Sequence, residues 1–430
     1  MSKINRIKGF SDLFPPEVTA YVFMEETARD IFSRYGYQEV RIPVLEHTEL
    51  FARSIGQETD VVQKEMYTFP DRKGRSLTMR PEATAGIARA YIDSPLSSAG
   101  SVNKLFTFGP MFRYERPQKG RMRQFHQVNA EIIGENSPWA DAEVIIMLRT
   151  YLKTLGLKKL DIEINSLGCP LCRPGFHQAL RDCFNKLDQS RLCSDCRRRT
   201  ESNPLRVLDC KVPGCSELIR GAPKITDHLC QDCRDHFETV IHMLRESGVR
   251  HHLNPGLVRG LDYYQRTTFE VISHDIGAQS SVAGGGRYDG LIRDLGGPDV
   301  PATGFACGME RLALLLEGIT EKPRDFYLAV LHENAMDKAL LMAQLLRERG
   351  FSGEMGFQVK SVKAQLRQAN RLGVKTCLLL GLDELSRGEI QVKDMATGVQ
   401  RAVSHEEVEQ ALGLNLKGKN NNYLTGRQGL

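Results

Sequence analysis

The stretch LFTFGPMFRYERPQKGRMRQFHQVNAEIIG, residues 105–134, decides the fold class, because it predicts two strands joined by a strongly basic loop. In its second half Val128, Ala130 and Ile132 alternate with polar side chains, and the first half alternates in the same way. Side chains along a strand point to opposite faces with a period of two, so both halves are typical of half-buried strands. The pattern predicts a hairpin whose polar face is either the floor of a site or simply solvated.

The loop that joins the two strands, residues 116–123, carries four cationic side chains beside a proline and a glycine. The proline and glycine indicate a turn, and the cations suit a polyphosphate or a nucleic acid. Over the whole chain the net charge is only +5, which permits an anionic partner but does not require one.

The length and composition indicate a globular protein. A chain of 430 residues is enough for about two to four domains, and a hydrophobic fraction of 41% is ordinary. No apolar run approaches the roughly 20 residues of a membrane-spanning helix, and the polar N-terminus lacks the apolar region of a secretory signal. We therefore expect a cytoplasmic protein with no membrane partner.

Cysteine is concentrated in one segment, since nine of the eleven cysteines lie between positions 169 and 233. In a chain with no export signal, such clustering favours metal binding or structural thiols over disulfides. Three pairs have the Cys-x-x-Cys spacing of metal sites and a fourth is looser: Cys169 and Cys172, Cys193 and Cys196, Cys230 and Cys233, and Cys210 and Cys215. Eight thiolates suffice for two tetrahedral structural zinc sites; reduced thiols packed as small apolar groups are the alternative.

Local patterns divide the chain into five segments. Residues 1–167 mix helical and strand periodicity, residues 168–254 are rich in cysteine and charge, and strand alternation returns within residues 255–320. After a proline-containing linker, residues 325–412 alternate strands with helices, which predicts an α/β domain with a parallel or mixed sheet. Residues 413–430 are polar, and we expect a disordered tail there.

Two shorter patterns make more specific predictions. Residues 37–45 are typical of a strand that ends near Pro43. The glycine run at residues 284–286 is either a turn or, because an Arg-Tyr-Asp sequence follows it, the wall of a site.

Four separated segments set cations, carboxylates and glycines within apolar strands: residues 78–84, the hairpin, residues 257–264 and residues 304–312. Together they offer arginines for phosphate, carboxylates for an ammonium or an imidazole, and glycines for close backbone approach. The arginines suited to an α-phosphoryl group and its leaving pyrophosphate are Arg113, Arg121, Arg259 and Arg311. The chain contains no GxxxxGK(S/T) sequence, so a nucleotide site here is not of the P-loop kind.

These segments resemble the signatures of the class II aminoacyl-tRNA synthetases and, among them, the histidyl-tRNA synthetase family. Phe112-Arg113-Tyr-Glu115 with Arg121 and Phe125 resembles the second class signature, Gly308-Met-Glu310-Arg311 the third, and the helix before residues 37–43 the first, a dimer-interface element. Residues 257–264 and 283–289 resemble the two peptides particular to the histidyl enzymes. The resemblance covers residues 7–412, nearly the whole chain, and the two histidyl peptides are its most specific part.

The resemblance implies a fold and an activity. The fold is an α+β catalytic domain built on an antiparallel sheet, with a helical Cys-rich insertion at residues 168–254 and a C-terminal α/β domain with a mixed sheet. The activity is that of a ligase that activates L-histidine with ATP and Mg²⁺ and transfers it to the 3′ end of tRNA(His). The insertion would reach over the acceptor stem, the C-terminal domain would bind the anticodon, and the enzyme would be a homodimer. The family as a whole does not require zinc in the insertion.

The resemblance also assigns residues to the substrates. Those implied to bind histidine are Glu82, Ala83, Thr84, Arg113, Gln127, Glu131, Arg259, Tyr263 and Tyr264, and those implied to bind ATP are Arg113, Glu115, Arg121, Phe125 and Arg311. Arg113 and Arg259 are implied to be catalytic, Arg259 as a cation at the α-phosphate. Glu131 and Tyr264 are implied to hydrogen-bond the two imidazole nitrogens. Ala83 departs from the family, which often has glycine there and so has one methyl group fewer near the substrate.

Three other functions compete with this one on the sequence. The first is a regulatory paralogue of the histidyl enzyme acting in histidine biosynthesis; such paralogues lack the C-terminal domain and parts of the ATP-facing set. The second is a class II synthetase for another amino acid, against which residues 257–264 argue. The third is a zinc-ribbon nucleic-acid binder, which explains the cysteines but leaves the other four segments unexplained.

Overall fold

Two units make up the chain, Met1–Glu317 and Gly318–Leu430. A computed structural model describes residues 3–57, 59–98, 100–210, 212–276, 281–413 and 423–424. The tail predicted to be disordered lies outside the described residues, apart from Gly413 and the pair at 423–424. No helix in the described part of the chain has both the length and the apolar character needed to cross a membrane.

The predicted hairpin is present and lies in the middle of the largest sheet. The strands of the first unit are β1 (Gln38–Glu39), β2 (Leu45–His47), β3 (Tyr67–Pro70), β4 (Ser76–Met79), β5 (Asn103–Phe112), β6 (Gln124–Ile133), β7 (Asp161–Ser166), β8 (His252–Leu253), β9 (Gln265–Ile272), β10 (Ser281–Arg287) and β11 (Ala302–Gly308). Among the described residues, eight of them form one sheet in the order β1-β5-β6-β11-β10-β9-β7-β8. Only the two edge pairs, β1 with β5 and β7 with β8, are parallel. The prediction of a catalytic unit built on an antiparallel sheet is therefore confirmed.

The helices of the first unit pack on the large sheet, on the small sheet or on one another, or form the Cys-rich segment. They are α1 (Glu17–Arg34), α2 (Thr48–Ile55), α3 (Thr84–Ile92), α4 (Pro138–Thr154), α5 (Arg173–Asn185), α6 (Ser194–Ser202), α7 (Pro213–Leu218), α8 (Gln231–Glu246), α9 (Leu291–Asp294) and α10 (Met309–Ala313). Helix α4 packs on β6 and β11, where Val128, Ala130 and Ile132 are buried. The apolar side of the hairpin thus faces the core, and its polar side is left for a cavity.

The strand predicted over residues 37–45 is wrong in extent. Only Gln38–Glu39 pairs with β5, and a separate strand, β2, starts at Leu45 and pairs with β4 in a small sheet with β3. Pro43 lies between the two strands and has no backbone N–H to contribute to a ladder. The chain therefore leaves the large sheet before Pro43 and enters the small one after it.

The glycine run at residues 284–286 is a strand and not a turn. It forms the middle of β10, between β9 and β11, with Gly285 opposite Phe305 and Gly286 opposite Gly304. A side chain on Gly285 would overlap the carbonyl oxygen of Gly304. Low strand propensity is accepted here because the neighbouring backbone comes too close for any side chain.

The Cys-rich segment is helical, as predicted, and has a small core of its own. Phe176, Leu180 and Phe184 on α5 are fully buried and pack with the cysteine side chains. Its last helix, α8, packs back on α4 of the first unit. The segment is therefore anchored to the rest of the first unit through α8 and α4.

The second unit is an α/β fold with a mixed sheet, as predicted. Its elements are β12 (Thr320–Glu321), β13 (Phe326–Val330), α11 (Met336–Glu348), β14 (Gly353–Met355), α12 (Val362–Arg371), β15 (Thr376–Leu380), α13 (Leu382–Arg387), β16 (Glu389–Asp394), β17 (Gln400–Ser404), α14 (Val408–Ala411) and β18 (Tyr423–Leu424). In the described residues five strands follow the order β14-β13-β15-β16-β17, the first three parallel and the last two antiparallel to their neighbours. The β13 side chains are buried on both faces, which explains why this strand is an unbroken apolar run.

Candidate active site

A cavity of about 970 Å³ opens on the polar face of the hairpin. Residues from all four of the segments singled out by their charges and glycines line it. The predicted site residues in the lining are Glu82, Thr84, Arg113, Glu115, Arg121, Phe125, Gln127, Arg259, Tyr263, Tyr264 and Arg311. Ala83 and Glu131 lie behind the lining, with 0% and 1% of their surface exposed. The fold therefore gathers most of the predicted residues around one cavity.

Arg113 is held at the loop end of the hairpin, directly after β5. Its Nε donates to the carbonyl oxygen of Pro81 at 2.9 Å, and its guanidinium carbon lies 5.4 Å from the ring centre of Phe125. Glu115 lies 3.9 Å from Arg113 Nη1 and pairs with Arg121 Nε at 2.7 Å. A carboxylate between two guanidinium groups fixes both, while each keeps further N–H groups that phosphate oxygens can accept from.

Arg259 extends across strand β10. Its Nη1 donates to Glu270 Oε1 at 2.7 Å, and its guanidinium carbon lies 5.5 Å from the ring centre of Tyr264. A Cβ at Gly284 would lie 2.5 Å from the guanidinium, so only glycine leaves room for this path. Burial alone would lower the pKa of Arg259, but Tyr264 and Glu270 beside it raise it. The cavity thus has a fixed positive charge in its wall.

Helix α10 ties the basic loop of the hairpin to the sheet. Arg311 donates through Nη1 to the carbonyl oxygen of Ser281 and through Nε to that of Gly120 at 3.3 Å. Glu310 accepts from the backbone N–H of His126 at 2.9 Å and lies 3.0 Å from His126 Nδ1. These contacts position Arg311, the fourth arginine of the cavity, against the loop that carries Arg121.

The Glu82 carboxylate binds the first N–H groups of helix α3 at the cavity floor, where Thr84 is the first residue of the helix. Glu82 Oε2 accepts from the N–H of Thr84 at 2.6 Å and Oε1 from that of Ala85 at 2.9 Å. Burial raises the pKa of Glu82, although both backbone donors act in the opposite direction. A carboxylate at a helix N-terminus is stabilised by the helix dipole, and here it also faces the cavity.

Glu131 lies directly behind Thr84. Its Oε1 accepts from Thr84 Oγ1 at 2.8 Å, and its Oε2 accepts from the hydroxyl of Tyr288 at 2.6 Å. Burial raises the pKa of Glu131 to about 8. A side chain at Gly304, on the neighbouring strand, would overlap Glu131 Oε2. The carboxyl group can therefore hold or release a proton near neutral pH.

Three tyrosines surround this carboxyl group. The rings of Tyr263 and Tyr264 lie 4.6 Å apart between centres, and the ring of Tyr288 lies 5.6 Å from that of Tyr263. Burial raises the pKa of Tyr263 and of Tyr264, so both keep their phenolic proton. The cluster forms a flat-sided, apolar pocket with hydroxyl groups, which suits a small polar ring.

Two amide side chains on β6 offer polar atoms without a partner among the described residues. Gln127 Oε1 and both polar atoms of Asn129 are buried in the cavity lining in this way. A buried polar group without a partner is costly, so such groups in a cavity indicate a ligand that supplies one. The amide oxygen of Gln127 suits an ammonium group, whereas Asn129 can both donate and accept.

The comparison with known families decides the class of protein to which this cavity belongs. Residues 9–312, which contain every element that builds the cavity, match the family model described as Histidyl-tRNA synthetase. The chain belongs to the histidyl-tRNA synthetase family. Residues 325–413 match a second model, described as Anticodon binding domain. The predicted family and fold class are thereby confirmed.

Relatives of this family are similar to the chain over almost its whole length. The histidine–tRNA ligase of Maridesulfovibrio salexigens is 61% identical over 409 residues, 95% of this chain and 99% of the relative. That of Oleidesulfovibrio alaskensis is 61% identical over 407 residues, 94% and 98% of the two chains. The crystal structure of apo histidyl-tRNA synthetase from S. aureus superposes with a TM-score of 0.80 at 34% identity and covers 96% of this chain and all of that one.

Several residues of this histidyl-tRNA synthetase site did not follow from the sequence. Glu270 pairs with Arg259, and Tyr288 with Glu131, yet neither was among the predicted residues. The alternation of Phe269 and Val271 around Glu270 was the available signal, because it puts Glu270 on the polar face of its strand. Asn129 could have been found in the same way, because it alternates with apolar residues and so lies on the polar face of β6.

The eight cysteines of the four closely spaced pairs form two clusters in the structure. The first cluster is Cys169, Cys172, Cys230 and Cys233, and the second cluster is Cys193, Cys196, Cys210 and Cys215; within each, the sulfur atoms lie within 4.8 Å of one another. Tetrahedral zinc with Zn–S bonds of about 2.3 Å requires sulfur separations of about 3.8 Å. In the first cluster Cys169 Sγ lies 3.6 Å from Cys172 Sγ and 3.9 Å from Cys230 Sγ, and in the second Cys193 and Cys210 are 3.9 Å apart. Both donor sets fit the ion.

Proposed function

We propose that the chain is a histidine–tRNA ligase, which activates L-histidine with ATP and transfers it to the 3′ end of tRNA(His). The observation that carries the proposal is that the arginines of the class II signatures and the residues of both histidyl peptides surround one cavity. The identity of 61% over nearly full length to proteins named histidine–tRNA ligase supports it. The regulatory alternative is not favoured, because the second unit and all four arginines are present.

At the ATP end, three arginines are proposed to bind the phosphates. Arg113 binds the α-phosphate and the histidine carboxylate; its fixed position at the loop end of the hairpin supports this double role. Arg121 and Arg311 bind the outer phosphates, and ATP brings its Mg²⁺ as part of the substrate. Glu115 and Phe125 bind adenine, Phe125 by stacking on the purine. The Glu115 carboxylate that pairs with Arg121 also has lone pairs left for the adenine amino group.

At the histidine end, different residues are proposed to bind the α-ammonium group and the imidazole ring. Glu82, Thr84 and Gln127 receive the α-ammonium group; the buried carboxylate and the unpartnered amide oxygen support this. Glu131 and Tyr264 hydrogen-bond the two imidazole nitrogens. A ring analogue without these nitrogens would leave both groups unpaired, which is how such a pocket rejects it strongly.

The proposed reaction depends on how these residues position the two substrates and neutralise their charge. The histidine carboxylate attacks the α-phosphorus in line; the bond to the bridging oxygen breaks and pyrophosphate leaves, giving histidyl-adenylate. Arg259 neutralises charge that develops on the α-phosphate, which is the main protein contribution to phosphoryl transfer. The terminal ribose hydroxyl of the tRNA next attacks the activated carbonyl, and AMP leaves. The raised pKa of Arg259 supports its role as a permanent cation.

The other segments are proposed to serve the tRNA and the assembly. Residues 1–167 and 255–320 form the catalytic domain, residues 168–254 the insertion over the acceptor stem, and residues 325–412 the anticodon-binding domain. The match of the last segment to the anticodon binding family supports its role. A cytoplasmic homodimer completes the proposal, supported by the resemblance of residues 37–43 and the helix before them to a dimer-interface signature. Light scattering on the eluting protein should give twice the chain mass of 48.4 kDa.

Each cysteine cluster is proposed to hold one zinc ion. The sulfur separations near those of tetrahedral zinc support this proposal over packed reduced thiols. The ion of the first cluster would cross-link the starts of α5 and α8, and that of the second cluster would cross-link α6 and α7. Protein purified without a chelator should contain about two zinc ions per chain. Clearly substoichiometric zinc would contradict the proposal, and Cys169→Ser should lower the content to about one.

The reaction is tested by amino-acid-dependent exchange of pyrophosphate into ATP, run separately with each of the common amino acids. The proposal expects exchange with histidine alone. Exchange with a different amino acid would assign the chain to another specificity, and none at all would favour the regulatory function. Histidinol, which lacks the carboxylate, is the matched control and should support no exchange.

A further inference from the structure

The Cys-rich segment contacts the catalytic cavity through the residues that lie between the two cysteine pairs of the second cluster. We call residues 197–209 the bridging segment; Cys196 precedes it and Cys210 follows it, and both belong to the second cluster. Leu208 and Asp209, at its end, line the catalytic cavity. The segment is therefore closed into a loop by the cysteines and touches the site at the same time.

Apolar contacts fix the bridging segment between two cores. Leu205 and Leu208 pack both against the core of the Cys-rich segment and against the catalytic core that contains Val258 and Tyr264. A displacement of either leucine would expose apolar surface on both sides. The two cores are thus coupled through the bridging segment.

Polar contacts tie the bridging segment to the loop that carries Arg259. Arg206 Nη1 donates to the carbonyl oxygen of Arg259 at 3.4 Å, and Asn203 Nδ2 donates to Asp262 Oδ1 at 3.3 Å. Arg199 pairs with Asp60 at 2.9 Å, and Arg206 Nη2 lies 3.8 Å from the same carboxylate. Only 12% of the Arg206 side chain is exposed, so the contact is shielded from solvent. The Arg259 backbone is thus held from outside its own loop.

This support matters because it reaches the middle of the loop. Other backbone contacts of the loop lie on either side of Arg259: the carbonyl oxygen of Leu257 accepts from Asn165, and the N–H of Asp262 donates to the carbonyl oxygen of Ile55. Residues 257–264 lie between β8 and β9 in irregular structure and take no part in the sheet ladder. The pair with Glu270 fixes the guanidinium of Arg259 but not the backbone that carries it. A cation that must contact a phosphate in the transition state needs both its guanidinium and its backbone fixed, because a small displacement of the cation lowers the rate strongly.

We propose that the bridging segment, closed by metal at the second cluster, positions Arg259 for adenylate formation, with Arg206 as the positioning residue. The inference rests on the proposed function, because it assigns a support to a residue of that reaction. It extends the proposed function, because the rate of adenylate formation would depend on a metal site that contacts no substrate. The expected signature is a lower kcat for histidine-dependent pyrophosphate exchange with little change in KM for ATP or histidine.

The first test compares three variants at Arg206 and at a neighbouring exposed arginine. Arg206→Ala should lower kcat about tenfold, whereas Arg206→Lys, which keeps a donor for the Arg259 carbonyl, should stay within about threefold of wild type. Arg197→Ala removes an exposed arginine of the same segment and should leave exchange unchanged. If Arg206→Ala exchanges as fast as Arg197→Ala, the positioning role is wrong.

The second test uses a readout that does not depend on activity. Trypsin cleavage within the bridging segment, followed by mass spectrometry, should be at least about tenfold faster in Cys210→Ser than in wild type. Cys230→Ser, a matched change in the first cluster, should leave cleavage there unchanged. Equal cleavage of Cys210→Ser and wild type would overturn the metal closure. A wild type without histidine-dependent exchange would instead contradict the proposed function, while the cleavage result still decides the closure.

Discussion

The Glu131→Gln variant should remove a pH-dependent penalty from the stability of the first unit. The pKa of Glu131 is raised by burial from 4.5 to about 8. Between these values the unfolded chain has released the proton while the folded chain still holds it, so the folded state loses stability as the pH rises. Below pH 4.5 both states are protonated and the penalty disappears.

The size of this effect follows from the pKa difference. An interval of about 3.5 pH units corresponds to at most about 5 kcal/mol of unfolding free energy, or about 1.4 kcal/mol per pH unit. Glutamine keeps the size of the side chain, and both hydroxyl partners can rotate to meet its amide. Any loss from the altered hydrogen bonds is independent of pH, so the slope isolates the carboxyl group.

Urea unfolding between pH 5 and pH 8 measures that slope. The single tryptophan, Trp139, is 58% exposed in the folded protein, so far-UV circular dichroism is used to follow unfolding. The free energy of unfolding of Glu131→Gln should rise relative to wild type across this range. Glu201→Gln, a change at an exposed glutamate of α6, is the control and should run parallel to wild type. Parallel lines for Glu131→Gln and wild type would refute the reasoning.

Three further predictions address the cavity. Arg259→His should slow single-turnover adenylate formation by roughly 100-fold or more while tRNA binding stays nearly intact, and an unchanged rate would remove Arg259 from its catalytic role. Gly304→Ala should lower Tm in a calorimetric scan, because a side chain there overlaps Glu131 Oε2 and the Ala130 carbonyl oxygen; a Tm within about 2 °C of wild type would be inconsistent with that overlap. Tyr288→Phe should raise KM for histidine about tenfold through the loss of its 2.6 Å hydrogen bond to Glu131, and an unchanged KM in the exchange assay would show that this contact does not position the carboxyl group.

The hairpin was predictable because its pattern is local. Alternation with a period of two depends only on neighbouring residues, and the turn residues between the strands identify the loop. The strand predicted over residues 37–45 is too long for an equally local reason, because Pro43 has no backbone N–H to contribute to a ladder. The prediction gave more weight to the pattern of apolar residues than to this proline. The glycine strand β10 could not be predicted, because glycine has low strand propensity. Its glycines are explained only by tertiary contacts, such as the approach of Gly304 to Gly285 and the path of Arg259 over Gly284.

The contacts of the site were less predictable than its residue types. Polar alternation put Glu131 on the cavity face, but whether such a carboxylate is open to substrate or buried behind Thr84 depends on a helix more than forty residues away in sequence. The pairing of Arg206 with the Arg259 carbonyl is of the same kind. Such contacts join segments brought together only by the tertiary fold, so no periodicity in either segment records them.

Charging of tRNA tests the central claim most directly. Purified protein, ATP, Mg²⁺ and labelled L-histidine are incubated with a tRNA(His) transcript, and the ester is measured after acid precipitation. A histidine–tRNA ligase should label this transcript, and should not label the same transcript after periodate oxidation of its terminal ribose. Failure to label tRNA(His) under conditions where a reference histidine–tRNA ligase charges it would contradict the account.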